Sequence, residues 1–151
     1  MRNIDNALIG AAGVHYIVSE LSKRGLIALP TIRNTPGFDV LVPSLDGSWN
    51  ANLQVKTSKD KVNFWPVGKK YDSFKGDNNY YMFLRYIRKE EKFEIFLEPA
   101  KKVAEKVKIK IEEGRKRGCK DWSPCWSLPK DDNKIEGLKK QWLEFGSEHA
   151  V

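Results

Sequence analysis

Two extended runs face each other across Asp46-Gly47: Phe38 to Pro43 (FDVLVP) before the turn and Ala51 to Thr57 (ANLQVKT) after it. Asp-Gly between such runs is the strongest short-range hairpin signal, because both residues accept the left-handed backbone of a tight two-residue loop. With Asp46 and Gly47 in the loop, Phe38 faces Val55, Val40 faces Leu53 and Val42 faces Ala51, giving one continuous apolar side. A slip of one residue would turn that whole set away from its partners, so burial itself selects the register. Alternation then puts Asp39 opposite Gln54 on the other side, with Lys56 two residues along. An acid, an amide oxygen and an ammonium are expected to meet there.

A chain of 151 residues reads as a single domain, 1–151, long enough to bury its own core. Lys and Arg number 27 against 20 Asp and Glu, a formal charge of +7. The basic residues recur in Lys59 to Lys75, Lys101 to Arg117 and at Lys139-Lys140, which suits a polyanionic partner, nucleic acid above all. Cys119 and Cys125, with His15 and His149 at opposite ends of the chain, make a poor zinc set and are expected as buried, reduced thiols. The first residues lack the apolar run of a signal peptide and nothing resembles a membrane span, so a cytoplasmic protein is expected.

Asn3 to Arg24 has the periodicity of an amphipathic helix, with Leu8, Ala11, Val14, Val18 and Leu21 on the inner stripe, Asn3 or Asp5 as cap and Gly25 as stop. Gly10 to Gly13 (GAAG) forms a small patch that favours close approach to a flat surface such as a sheet. Leu26 to Leu29 is a short strand candidate ended by Pro30. The segment from Ser58 to Asn78 reads as a basic, aromatic loop with little regular structure. Tyr80 to Tyr86 and Phe93 to Leu97 form a second strand pair, Pro99 opens a helix carrying Val103, Val107 and Ile111, and Ile135 to Phe145 closes the chain as a short helix. Trp122, Trp126 and Trp142 are expected in the core. The order of elements gives one α/β domain.

A carboxylate beside a strand carbonyl and a second side-chain oxygen is a hard-ligand set of the kind Mg²⁺ takes, with water and substrate phosphate completing its shell. A neighbouring lysine would offset charge as it develops on the phosphorus. With its N-terminal helix, then Gly37-Phe38-Asp39-Val40-Leu41-Val42, then Leu53-Gln54-Val55-Lys56-Thr57, the chain resembles the PD-(D/E)XK nuclease superfamily, in the branch that carries Gln in the (D/E)XK element. The resemblance spans roughly the first 60 residues, and the later strand pair and helix suit the same restriction-endonuclease-like α-β-β-β-α-β core, a mixed central sheet flanked by helices. It implies an Mg²⁺- or Mn²⁺-dependent endonuclease acting on DNA. Asp39, Gln54 and Lys56 would be catalytic, with Asp39, Gln54 and the Val55 carbonyl as metal ligands.

Two positions depart from that pattern. Many members carry a Glu on the first helix, about eleven residues before the helix-ending Gly, where this chain has Val14 with His15 beside it. His15 is thus the candidate contribution from that helix, because Glu20 stands roughly 120° round it from Val14. Gln54 keeps an oxygen ligand but removes a charge. Lys59, Lys61, Trp65, Lys69 and Lys70 are the candidate nucleic-acid contacts, lysines for phosphates and the indole for a base. The alternatives to a nuclease are a nuclease-like fold that binds nucleic acid without cutting it, and a protein-interaction subunit of a restriction or mobile-element system. Cutting both strands of a duplex calls for two sites, for which a homodimer is the usual solution.

Overall fold

The computed structural model describes residues 5–32, 36–120 and 123–151. A five-stranded mixed sheet in the order β1-β2-β3-β5-β6 is its centre, built from β1 (Leu29–Pro30), β2 (Val40–Pro43), β3 (Asn50–Lys59), β5 (Asn79–Ile87) and β6 (Lys92–Pro99). β3 runs parallel to β5, and the other neighbours are antiparallel. Three helices flank it: α1 (Asn6–Lys23), α2 (Ala100–Lys116) and α3 (Asp132–Glu144). β4 (Phe64–Pro66) and β7 (Cys125–Ser127) pair with each other as a separate two-stranded ribbon.

The hairpin forms in the expected register, with Val40 opposite Leu53 and Val42 opposite Ala51. Gly47 has φ +70°, and the Asp46 carboxylate accepts from the Ser48 N–H and from both flanking serine hydroxyls, which holds its pKa down at about 2. Val40, Val42, Ala51, Leu53 and Val55 are buried on one sheet face beneath Ile17 and Leu21 of α1, joined by Met82, Leu84 and Trp142. The opposite face carries Tyr81, Phe83 and Phe96 against Val103 and Val107 of α2 and the indoles of Trp65 and Trp126. Four successive β5 residues, Tyr81 to Leu84, are buried because helices cover both faces. Each such side chain contributes roughly 1.5–3 kcal/mol by leaving water.

Several expectations are corrected. The stripe of α1 is Ile9, Gly13, Ile17 and Leu21, and Leu8 and Ala11 are exposed, because the helix is rotated so that Gly13 meets β3. A Cβ on Gly13 would lie 2.1 Å from the Thr57 Oγ1, so the small patch does permit close approach, at that one residue. Asp5 caps α1 through the Ala7 N–H, and Asn3 lies outside the described residues. β1 is Leu29–Pro30, not Leu26 to Leu29. Phe38 leaves the Val40 face and packs with the α2-side core. The segment expected as loop holds the end of β3, all of β4 and a 3₁₀ turn at Tyr71–Phe74. Cys119 is exposed and Cys125 half-buried, so neither thiol is buried. Trp126 and Trp142 are buried as expected, whereas Trp122 lies outside the described residues. No described helix is long and apolar enough to cross a membrane.

Candidate active site

The sheet opens at Asp39. β2 and β3 remain paired from Pro43–Asn50 to Val40–Leu53. One residue on, the Asp39 N–H bonds the Leu53 carbonyl at 2.8 Å instead of continuing to Gln54, and the chain turns away through Gly37, whose φ of +111° suits glycine. Thr31 fastens the departing strand from its other side, its N–H to the Asp39 carbonyl at 2.9 Å and its hydroxyl to the Phe38 carbonyl at 2.9 Å. The Val55 N–H is left without a backbone partner on β2, and the Asp39 Oδ2 takes it at 2.7 Å. A strand residue directs its N–H and C=O to the same side, so the Val55 carbonyl opens onto this same divergence.

Burial raises the pKa of Asp39, opposed first by the Val55 N–H and then by the positive charge of Lys56. Burial makes the ionised carboxylate costly, and a bound cation would offset that cost. The Lys56 ammonium makes no hydrogen bond or ion pair among the described residues, and its effect on Asp39 acts through space. Gln54 likewise has an unengaged side-chain amide.

Asp39 and Gln54 do not line one cavity. Asp39 and Val55 share a cavity of about 560 Å³ with Ala11, Val14 and His15 of α1 and with Thr31. Gln54 opens on the other side of the sheet, into a cavity with Gly68, Lys69, Lys70 and Tyr81. The ladder shift at Asp39 causes this separation, because it takes the carboxylate out of the regular alternation that would have set it over Gln54. His15 is exposed and reaches the Asp39 cavity, while Val14 is partly buried against the core. Glu20 pairs with Lys23 at 2.5 Å on the far turns of α1.

The five expected nucleic-acid contacts fall into four places. Lys69 and Lys70 line the Gln54 cavity. Lys61 belongs to a charged depression at the other end of β5. Lys59 is half-buried at the end of β3. Trp65 is 1% exposed, and its indole N–H is bonded to the Leu84 carbonyl at 2.9 Å, so it cannot stack on a base. Strand alternation in β4 turns Trp65 inward and Phe64 outward. Thr31 was not marked by the sequence: its role depends on β1 lying beside β2, and no local pattern announces that.

Among the described residues no three His, Cys, Asp or Glu side chains come together as a metal-binding group. The oxygen donors at the divergence are the Asp39 carboxylate and the neutral Val55 carbonyl. That donor set fits a hard divalent cation which keeps much of its shell for water and phosphate. No family model and no curated protein matches the chain. Among solved structures, a bacterial homing endonuclease aligns over 92% of this chain and 90% of its own, at 16% identity and a TM-score of 0.49, too loose a likeness to transfer anything to this chain.

Proposed function

We propose that the chain is a metal-dependent nuclease that hydrolyses phosphodiester bonds, with DNA as its substrate. The observation that carries this reading is the Asp39 carboxylate, desolvated and held by the Val55 N–H where β2 leaves β3, with the unpaired Lys56 ammonium acting on it. Asp39 and the Val55 carbonyl would hold Mg²⁺ or Mn²⁺, and Gln54, which opens on the other side of the sheet, would not share that ion. Such an ion, when bound, polarises a phosphoryl oxygen and acidifies water. Lys56 stabilises the negative charge that grows on the phosphoryl group during in-line displacement. His15, which lines the same cavity as Asp39, would be the contribution of α1 to the site.

Supercoiled plasmid incubated with the purified protein and Mg²⁺ or Mn²⁺ is expected to be nicked. Asp39→Ala and Lys56→Ala should each lower the rate by about 10²-fold or more, the loss typical of a group that acts on transition-state charge. If no form of DNA is cut with either metal, the enzyme reading is wrong. A second reading, binding without cutting, is favoured by the single carboxylate and the neutral Gln54. It expects salt-sensitive binding that Asp39→Ala leaves unchanged. A protein that retains no DNA even at low salt would instead fit an interaction subunit.

A further inference from the structure

The lysines beside Gln54 do not stop at its cavity. Lys69 lines that cavity and also a second groove, bounded by Lys75, Lys108, Arg115 and Lys120, so the two depressions share a wall. Lys108 and Arg115 stand seven residues apart on α2, with Ile111 and Glu112 between them in the same groove. That i, i+3, i+4, i+7 spacing is one stripe of a helix. Seven residues of helix rise about 10.5 Å, which is about three steps of a nucleic-acid strand at 3.4 Å each.

Most of the cations on this surface are unmatched and lie together along one channel. At the far end of β5 three of the cations are matched by acids: Arg85 with Glu94, Arg88 with Asp60 and Lys92 with Glu90. Among the described residues Lys69, Lys70, Lys108, Arg115 and Lys120 have no ion pair. Two acids enter the groove: Asp72, which Lys75 holds at 3.1 Å, and Glu112. Unmatched like charges along one channel repel one another and cost stability unless a polyanion neutralises them. Lys108, Arg115 and Lys120 are all exposed, so their charges are available to a partner from solution.

We propose that nucleic acid engaged at the Gln54 cavity continues over the outer stripe of α2, its phosphates held by Lys69, Lys108, Arg115 and Lys120. This path takes from the nuclease reading only that the partner is nucleic acid, since the Gln54 cavity lies across the sheet from the Asp39 cavity. Its contacts are to the backbone, so they set the position of the strand and not its sequence preference.

The test is binding of a fluorescein-labelled 20-base-pair DNA duplex, followed by anisotropy in EDTA over a series of salt concentrations. Replacing Lys108, Arg115 and Lys120 together by Gln should make the plot of log affinity against log salt shallower by about 2 to 3, since each lost phosphate contact removes about 0.9 from the slope. The matched loss of charge at Lys89, Lys130 and Lys134, exposed residues outside the groove and off α2, should leave the slope near the wild-type value. Equal slopes for all three proteins, or equal changes in both variants, would overturn the path, as would a wild-type protein that binds no duplex.

Cys119 gives a second readout, because it is exposed and lines the same groove. In a Cys125→Ser background, saturating duplex should slow its alkylation several-fold, and unchanged alkylation would count against the path. Plasmid nicking by the same preparations, and its loss in Asp39→Ala, reports separately on the catalytic reading. The path can therefore fail while that reading stands.

Discussion

At the scale of single residues, Asp39 has two duties that substitution can separate. Its carboxylate accepts the Val55 N–H that the departing β2 leaves open, and its burial makes the ionised form costly. The raised folded pKa means that Asp39 contributes stability that is complete below the ordinary carboxylate range and is lost as the pH rises through the raised value. Asp39→Asn keeps an acceptor and removes the charge, so it is expected to melt above the wild type at pH 7 while losing cleavage. Asp39→Ala abandons the N–H and should cost about 1–3 kcal/mol, measured by urea unfolding. Gly13 and Thr57 form a second test pair. Gly13→Ala would drive a methyl into Thr57 Oγ1, a buried hydroxyl with no hydrogen-bond partner, and should destabilise by about 1–3 kcal/mol. Thr57→Ala alone should be close to neutral, and the double variant should recover much of the loss, a coupling that a double-mutant cycle in urea measures.

Elements were legible in the sequence where their cause is local. The Asp46-Gly47 turn, the parity of Val40, Val42, Leu53 and Val55, and the β5–β6 pair all carry their signals within a few residues of themselves. The inner stripe of α1 was misplaced because Leu8 and Ala11 look like core residues in isolation, whereas Gly13 decides the rotation through a contact with β3. The ribbon of β4 with β7 escaped notice for the same reason. Phe64 pairs with Ser127 across most of the second half of the chain, and three residues with a proline carry no strand pattern of their own. At the site, sequence reasoning expected Asp39, Gln54 and Lys56 to meet because it assumed that the ladder stayed regular past Val40, whereas Gln54 opens away from the Asp39 cavity. The ribbon also brings Trp126 to Glu98, a carboxylate 2% exposed that accepts from the Trp126 indole N–H and from Lys106. Trp126→Phe keeps most of the packing and deletes that donor. It should cost about 1–3 kcal/mol in chemical denaturation, the expense of a buried polar group left short of a partner.

For the whole molecule, α3 ties the two cores together. Leu138 belongs to the α2-side core and Trp142, with the following Phe145, to the α1-side core, so α3 packs past β6 from one sheet face to the other. Arg24 at the end of α1 sits 3.9 Å above the Trp142 ring and donates to its carbonyl, and Phe145 reaches both Trp49 and Tyr80. Phe145→Ala should therefore loosen the hairpin end as well as the helix, lowering stability by about 3–5 kcal/mol in thermal or urea unfolding. The placement of α3 has a further result for assembly. One rim of the central sheet is occupied by that helix, and the other is a two-residue strand ending in proline, which has no N–H to offer. Neither border offers a long open strand, so two copies of the chain would be expected to meet through helices, loops or the β4–β7 ribbon, without extending the central sheet from one copy into the next.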